Sequence, residues 1–106
     1  MNIRYVKLYD TYSPLLTDRQ REIMELYYNE DESLAEIAEN TGITRQGVRD
    51  WIKKTEAQLE SFESALSLSR RNEALRDCLR IASEAISRGD TESVSRALEE
   101  MEQLLR

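Results

Sequence analysis

The fold of this chain is decided by residues 33–54, SLAEIAENTGITRQGVRDWIKK. Ser33 and Glu36 have the spacing of a capping box, which predicts the start of a helix. Gly42 follows about two turns later, where helices commonly end on a residue in the left-handed conformation. Thr44 is then placed as the N-cap of the next helix. The stretch therefore predicts a short helix, a glycine turn and a second helix.

Another capped helix precedes this stretch. Thr17 and Gln20 form a second capping box, so a helix is predicted to start at Asp18. The polar run 29–32 ends it. Two short helices, a glycine turn and a third helix with polar side chains at its start form the helix-turn-helix pattern, whose last helix enters the major groove of DNA. In this chain the recognition helix would begin at Thr44.

Helices are also predicted on both sides of this motif. A first helix spans residues 3–12 and ends before Pro14, because the residue that precedes a proline avoids the helical conformation. On the other side, the recognition helix continues along an apolar seam with alternating steps of four and three. The seam slips by one residue across 67–74, so a bend or short break is expected near Ser69 and Arg70.

The end of the chain is predicted to form a helical hairpin. Gly89, Asp90 and Thr91 combine a helix stop with a helix start. Cys78 lies beside the apolar stripe of the first arm and is expected to be a buried structural thiol. The residues expected to face inward are Leu75, Leu79, Ala82, Ile86, Val94, Leu98, Met101 and Leu105.

The long seam is only partly covered in this arrangement. One straight helix over residues 44–88 would be roughly 65–70 Å long, more than three short helices can cover. The last helix would cover residues 75–86. The candidate partner or dimer surface consists of Leu59, Phe62 and Leu66. This surface could be covered by the first helix, by a second copy of the chain or by another protein, and the sequence does not choose among them.

We therefore predict an all-α fold in two parts. A helix-turn-helix domain would occupy residues 1–58. A helical extension, the long helix with its hairpin, would occupy residues 59–106. Five tyrosines crowd the first two helices and are predicted to pack in the core, with Tyr28 the most exposed.

The recognition helix is predicted to expose a basic face. At about 100° per residue, Arg45, Gln46, Arg49 and Lys53 fall within an arc of about 100°. Residues 43–54 hold four cations against one anion. Basic residues on the outer face of an amphipathic helix often do no more than keep that face in contact with water. The pattern alone therefore leaves two interpretations open, DNA contact and simple solvation.

DNA chemistry assigns a role to each side chain of this face. Arginine pairs bidentately with guanine and glutamine with adenine, whereas lysine and threonine suit phosphates. The predicted base contacts are Arg45, Gln46 and Arg49, and the predicted phosphate contacts are Thr44, Lys53 and Lys54. Arg19 and Arg21, near the N-terminus of the preceding helix, are predicted to add backbone contacts.

The composition argues against several other classes of protein. The net charge of -6, from 15 basic and 21 acidic residues, argues against a protein that coats nucleic acid, so any contact must be local. There is no histidine and a single cysteine, which disfavours zinc sites and histidine-activated nucleophiles. We predict no enzyme activity, no metal and no cofactor.

No apolar run approaches the roughly 20 residues of a membrane helix, which predicts a cytoplasmic protein without membrane contact.

Residues 15–63 resemble region 4 of bacterial sigma-70-type factors, the part that reads the upstream promoter element. They resemble more closely the small bacterial YlxM-type helix-turn-helix family. The markers are Leu16-Thr17, Leu26-Tyr27-Tyr28, Ser33-Leu34, Glu36-Ile37-Ala38-Glu39, Thr44-Arg45-Gln46 and Ile52-Lys53-Lys54-Thr55-Glu56. The resemblance implies a cytoplasmic regulator whose gene commonly neighbours those of the signal recognition particle. Gly47 and Trp51 depart from the family pattern; the glycine would allow close packing on the third helix.

Three functions follow as hypotheses. The first is DNA-binding regulation by a homodimer, because about four phosphate contacts per copy leave binding weak. The second is a protein-binding adapter of the protein-targeting machinery, including signal recognition particle components, in which the helix-turn-helix is only scaffold. The third is contact with structured RNA, which the family's gene neighbourhood alone favours.

Overall fold

The computed structural model describes residues 2–106 and is all-helical over that range, which confirms the predicted fold class. A short 3-10 turn, Ser13–Leu15, joins the first two helices. The helices are α1 (Ile3–Tyr12), α2 (Asp18–Tyr28), α3 (Leu34–Thr41), α4 (Arg45–Leu66), α5 (Leu68–Arg88) and α6 (Thr91–Leu104). The chain forms two compact units: an N-terminal unit that ends at Leu66 and a C-terminal unit, Ser67–Arg106.

Local side-chain hydrogen bonds start the helices of the N-terminal unit where the sequence predicts. The Thr17 hydroxyl accepts from the Gln20 N–H at 3.2 Å, and the Gln20 side chain accepts from the Thr17 N–H at 2.9 Å. The same reciprocal pair starts α3 with Ser33 and Glu36. Gly42 ends α3 with φ +72°, a conformation that glycine adopts without strain.

The core of the N-terminal unit lies between α4 and the three helices before it. Helix α4 contacts α1, α2 and α3. The largest side chains that are almost fully buried come from all four helices. They include Leu8, Tyr12, Ile23, Met24, Ile37, Val48 and Leu59. One long helix therefore serves as the common support of the unit, and its N-terminal half is the predicted recognition helix.

Helix α1 covers the C-terminal half of α4. The Tyr12 ring packs 5.7 Å from the Phe62 ring, and Arg4 donates two hydrogen bonds to Glu60 at 2.8 and 2.7 Å. Leu59 is 0% exposed. Of the partner or dimer surface predicted from Leu59, Phe62 and Leu66, only Leu66 is left largely open, at 50% exposure. Of the three possible partners for this surface, the first helix is the one that packs over Leu59 and Phe62.

Buried tyrosines tie the helices together through glutamates. Each aromatic ring is buried while its hydroxyl reaches a carboxylate at the edge of the core. The pairs are Tyr9–Glu25 at 2.8 Å, Tyr12–Glu63 at 2.5 Å and Tyr28–Glu56 at 2.8 Å. Tyr28 is only 7% exposed, so the prediction that it is the most exposed tyrosine is wrong.

Because of these tyrosines, we expect the N-terminal unit to lose stability at alkaline pH. Burial, followed by the hydrogen bond to a glutamate, raises the pKa of Tyr9 and Tyr28 well above the ordinary value of 10.0. The folded unit therefore holds these protons more tightly than the unfolded chain does, and its stability is expected to fall as the pH rises above about 10. Urea unfolding from pH 8 to 11 measures this. The double variant Tyr9→Phe/Tyr28→Phe should show a shallower decline, and an unchanged slope would contradict the assignment.

Thr55 carries a hydroxyl that the core does not satisfy. The residue is 0% exposed, and no group within residues 2–106 hydrogen-bonds its Oγ1. Thr55→Val should stabilise the N-terminal unit by about 1 kcal/mol in urea unfolding, because it removes a buried unsatisfied polar group. Thr41→Val is the matched control: it deletes the 2.7 Å bond from Thr41 to the Ile37 carbonyl and should destabilise. Equal effects of the two variants would refute this explanation.

The long helical segment breaks at Ser67. Helix α4 ends at Leu66 and α5 begins at Leu68, with Ser67 between them at φ +52°, in the left-handed region that favours glycine. The break lies two residues before the position predicted at Ser69. The structure accordingly divides the chain after Leu66, whereas the predicted extension begins at residue 59.

The C-terminal unit is the predicted hairpin of α5 and α6, but its inward register differs from the prediction. Its interior consists of small side chains, namely Cys78, Ala82, Ala85 and Ala97. The burial predicted for Cys78 is confirmed at 3% exposure. The residues that were wrongly predicted to face inward are Leu79, Ile86, Leu98 and Leu105, which are 56%, 67%, 56% and 63% exposed. Small residues let two helices approach closely, and the large ones then lie outside the contact.

Candidate nucleic-acid interface

Helix α4 turns one side to the core and the other to solvent. Val48 and Ile52 are 0% and 6% exposed, and α4 packs on α2 and α3. The residues predicted to contact DNA are all exposed: Thr44, Arg45, Gln46, Arg49, Lys53 and Lys54. We call this set the basic face. A buried anchor therefore holds an exposed, mainly cationic surface of about three helical turns.

Four cations of the basic face have no internal partner. Within residues 2–106, no hydrogen bond or ion pair engages the side chains of Arg45, Arg49, Lys53 or Lys54. Residues 43–54 hold four cations and one carboxylate, whereas the protein as a whole carries a net charge of -6. The basic face is thus a local positive surface on an acidic protein.

The other arginines of the N-terminal unit are used inside it. Arg19 donates to Glu22 at 3.1 Å and to the Thr41 carbonyl at 3.2 Å. Arg21 pairs with Asp18 and also donates to the carbonyls of Ser13 and Leu16, at 3.2 and 2.7 Å. Their guanidinium groups hold the ends of α1, α2 and α3. The backbone contacts predicted for these two arginines therefore gain no support from their positions.

The turn before α4 shapes the N-terminus of the basic face. The Thr44 hydroxyl accepts from the Gly47 N–H at 3.0 Å, which leaves its own O–H free to donate to a phosphate. A Cβ built on Gly47 would lie 2.6 Å from Ile43 Cγ2 and 3.1 Å from Thr44 Oγ1. Glycine is therefore needed for close packing, but against Ile43 of the turn and not, as predicted, against the third helix.

Gln46 and Asp50 form the only hydrogen bond between side chains of this exposed surface in the described part of the chain. The Gln46 amide donates to Asp50 Oδ1 at 2.9 Å. The second amide proton and the amide oxygen stay free, and these are the groups that a bidentate contact with adenine requires. Asp50 holds the amide in place and is also the one carboxylate among residues 43–54.

Neutralising Asp50 should strengthen binding to any duplex. Asp50→Asn removes one negative charge beside the basic face, so we expect a several-fold rise in affinity at about 50 mM salt that shrinks at higher salt. Fluorescence anisotropy with a labelled duplex of arbitrary sequence measures it. Asp10→Asn is the control, because it makes the same charge change on the exposed side of α1. If both variants gain equally, Asp50 has no local effect.

Trp51 lies at the edge of the basic face. Its side chain is half-buried, and together with Gly47, Asp50 and Lys54 it lines a shallow depression on one side of α4. The indole therefore neither joins the core fully nor lies open. Gly47 and Trp51, four residues apart on α4, thus lie on the same side of the helix.

The family model described as a helix-turn-helix protein, YlxM / p13 like, matches residues 1–103. The chain belongs to this YlxM-type family. A UPF0122 protein of Symbiobacterium thermophilum is 41% identical over 95 residues, which are 90% of this chain and 89% of the relative. A UPF0122 protein of Halalkalibacterium halodurans is 44% identical over 96 residues, 91% and 88% of the two chains. One from a Thermoanaerobacter species is 53% identical over 68 residues, 64% and 58% of the two chains.

The described part of this YlxM-type chain has neither a membrane-spanning helix nor a metal-ligand cluster. Between residues 2 and 106, no helix combines the length and the apolar character needed to cross a membrane. Over the same residues, no three carboxylate or thiol side chains are grouped as metal ligands would be. The basic face is the feature of the described chain whose chemistry points most directly to a ligand.

Proposed function

We propose that this YlxM-type protein is a non-catalytic regulator that binds duplex DNA through the basic face of α4. Arg45, Gln46 and Arg49 would contact base edges in the major groove. Thr44, Lys53 and Lys54 would contact phosphates. The proposal rests above all on one observation: the four exposed cations of α4 have no internal partner in the described chain, whereas Arg4, Arg19 and Arg21 do.

The unpaired state of these cations matters energetically. A guanidinium group that leaves an internal ion pair to bind DNA loses one interaction for each that it gains. Arg45 and Arg49 carry no such penalty, so the pairing of each guanidinium fork with guanine O6 and N7 is a net gain. The buried anchor of α4 fixes the direction in which both side chains leave the helix.

The negative charge elsewhere limits how the protein binds. With a net charge of -6, the rest of the surface repels phosphate. Binding should therefore be confined to the basic face, be weak for a single copy and depend steeply on salt. A link of this regulation to the signal recognition particle pathway stays a prediction of the family resemblance.

Selection from a pool of random duplexes tests the proposal. The full chain should enrich a short motif that contains guanine and adenine, and it should bind that motif more tightly than a scrambled duplex at equal salt. Lys53→Ala should weaken binding to both duplexes and lower the slope of log affinity against log salt by about 1. Absence of any enriched motif, or binding to structured RNA alone, would contradict the proposal.

A further inference from the structure

The C-terminal unit buries its small side chains and exposes its large ones. The contact between α5 and α6 is made by Cys78, Ala82, Ala85 and Ala97, all less than 10% exposed. Four leucine or isoleucine side chains of this unit, three on these two helices and one at the C-cap of α6, are more than half exposed: Leu79, Ile86, Leu98 and Leu105. We call these four residues the hairpin face. A pair of helices with so small an interior gains little from burying it.

All four residues lie on the same side of the hairpin. At about 100° per residue, Leu79 and Ile86 lie roughly 80° around α5 from its interior row. Leu98 and Leu105 lie roughly 90° around α6 in the same rotational sense. Because the two helices run antiparallel, equal rotations bring both pairs to one side. Half-buried neighbours extend this stripe along both helices: Leu75, Val94 and Met101.

The hairpin face is large for a surface open to water. Its four side chains form an exposed apolar patch on the order of 400–500 Å², the size at which patches on monomeric proteins are often functional. Two such patches pressed together, with their polar rims, reach roughly the 1,000 Å² that a specific interface needs. A second copy of this chain therefore offers a surface of the right area and the right chemistry.

The charges beside the hairpin face are self-complementary. Helix α5 has five arginines against three acidic residues, whereas α6 has one arginine against four glutamates. At about 100° per residue, Arg76 lies roughly 150° around α5 from the interior row. Neither Arg76 nor Glu99 has an ion pair within residues 2–106. A second copy that places its α6 against α5 would bring opposite charges together on both rims.

We propose that the hairpin face packs on the same face of a second copy, forming a four-helix bundle in which α5 lies against α6 of the partner. A two-fold axis parallel to the helices produces this arrangement, with all neighbouring helices antiparallel. Cys78 lies beside Glu100 within one hairpin, so Arg76 is level with Glu102. In the dimer, Arg76 therefore faces Glu102 of the partner subunit. Within one chain, Glu102 also pairs with Arg106 at 3.3 Å, so this carboxylate would be shared by two arginines. This inference goes beyond the proposed function and does not rest on it.

Sedimentation equilibrium of the full chain without DNA tests the dimer. The wild-type protein should shift from a monomer–dimer mixture to a dimer over about 1–200 μM, with a dissociation constant in the low micromolar range. Leu79→Glu/Leu98→Glu should raise that constant at least about 100-fold, because it places charges in the centre of the interface. Ile81→Glu is the matched control: Ile81 is 42% exposed on the opposite side of α5, and its change should leave the mass unaltered.

A charge exchange tests which helices meet. Arg76→Glu and Glu102→Arg should each weaken the dimer by about 3- to 10-fold, and the double variant should restore it. Circular dichroism confirms that each variant keeps its helix content. A wild-type monomer throughout the range, a dimer indifferent to Leu79→Glu/Leu98→Glu, or a double variant weaker than both single ones would overturn the proposal. Because no DNA is present, failure here is distinct from failure of DNA binding.

Discussion

Replacing Arg45 and Arg49 together with alanine is expected to weaken binding to the selected duplex by about 30-fold or more, since each bidentate contact with guanine contributes about 1–3 kcal/mol. Fluorescence anisotropy at fixed salt measures the loss. Both side chains are exposed and make no hydrogen bond or ion pair in the described chain. The free energy of unfolding should therefore change by less than about 0.5 kcal/mol, which excludes unfolding as the cause.

The control must separate base recognition from charge. Arg80→Ala/Arg88→Ala removes the same two charges from exposed positions of α5. It should reduce affinity for all duplexes by only a small factor, through the long-range field. Preference for the selected duplex over a scrambled one should be lost in Arg45→Ala/Arg49→Ala and kept in the control. Equal losses in the two double variants would show that the basic face reads no bases.

Leu59→Ala is expected to destabilise the N-terminal unit by about 3 kcal/mol, because it deletes a fully buried side chain and leaves a cavity. Small domains are stable by only about 5–15 kcal/mol, so much of the margin would be lost. Urea unfolding followed by circular dichroism measures the change. A loss of this size would identify Leu59 as a core residue, whereas the apolar seam alone suggests an exposed partner surface.

Leu66→Ala is the matched control for Leu59→Ala. Both leucines lie on the same seam of α4, but Leu66 is 50% exposed. Its truncation should cost less than about 1 kcal/mol. If the two variants lose equal stability, or if Leu59→Ala changes only the mass of the protein in solution, the placement of α1 over α4 would be contradicted.

The elements that the sequence predicts well are those fixed by local chemistry. Capping boxes at Thr17 and Ser33 and the left-handed glycine at Gly42 need only residues three or four apart, so these helix ends lie where predicted. The exposure of Arg49, about 100° around α4 from the buried Val48, also follows from helical geometry. Arg45 lies only about 60° from Val48 and is exposed as the first residue of α4. The helix-turn-helix could therefore be predicted without knowledge of the rest of the chain.

The features that the sequence does not predict depend on how the helices pack against one another in the folded chain. The position of α1 over Leu59 is a tertiary contact that no local pattern encodes. In the hairpin, hydrophobicity favours Leu79 and Ile86 as interior residues, but close helix approach selects Cys78 and alanine instead. The Tyr28 ring can be buried because its hydroxyl donates a hydrogen bond to a glutamate that is distant in the sequence. The identity of Glu56 as that acceptor follows only from the fold.

The contact surface itself can be observed by titrating the ¹⁵N-labelled full chain with the selected duplex and mapping the changes in amide chemical shift. We expect the largest changes at residues 44–54, with the arginine side-chain resonances of Arg45 and Arg49 among them, and small changes in α1. Changes concentrated in other helices, with residues 44–54 unperturbed, would contradict DNA binding by the basic face of α4.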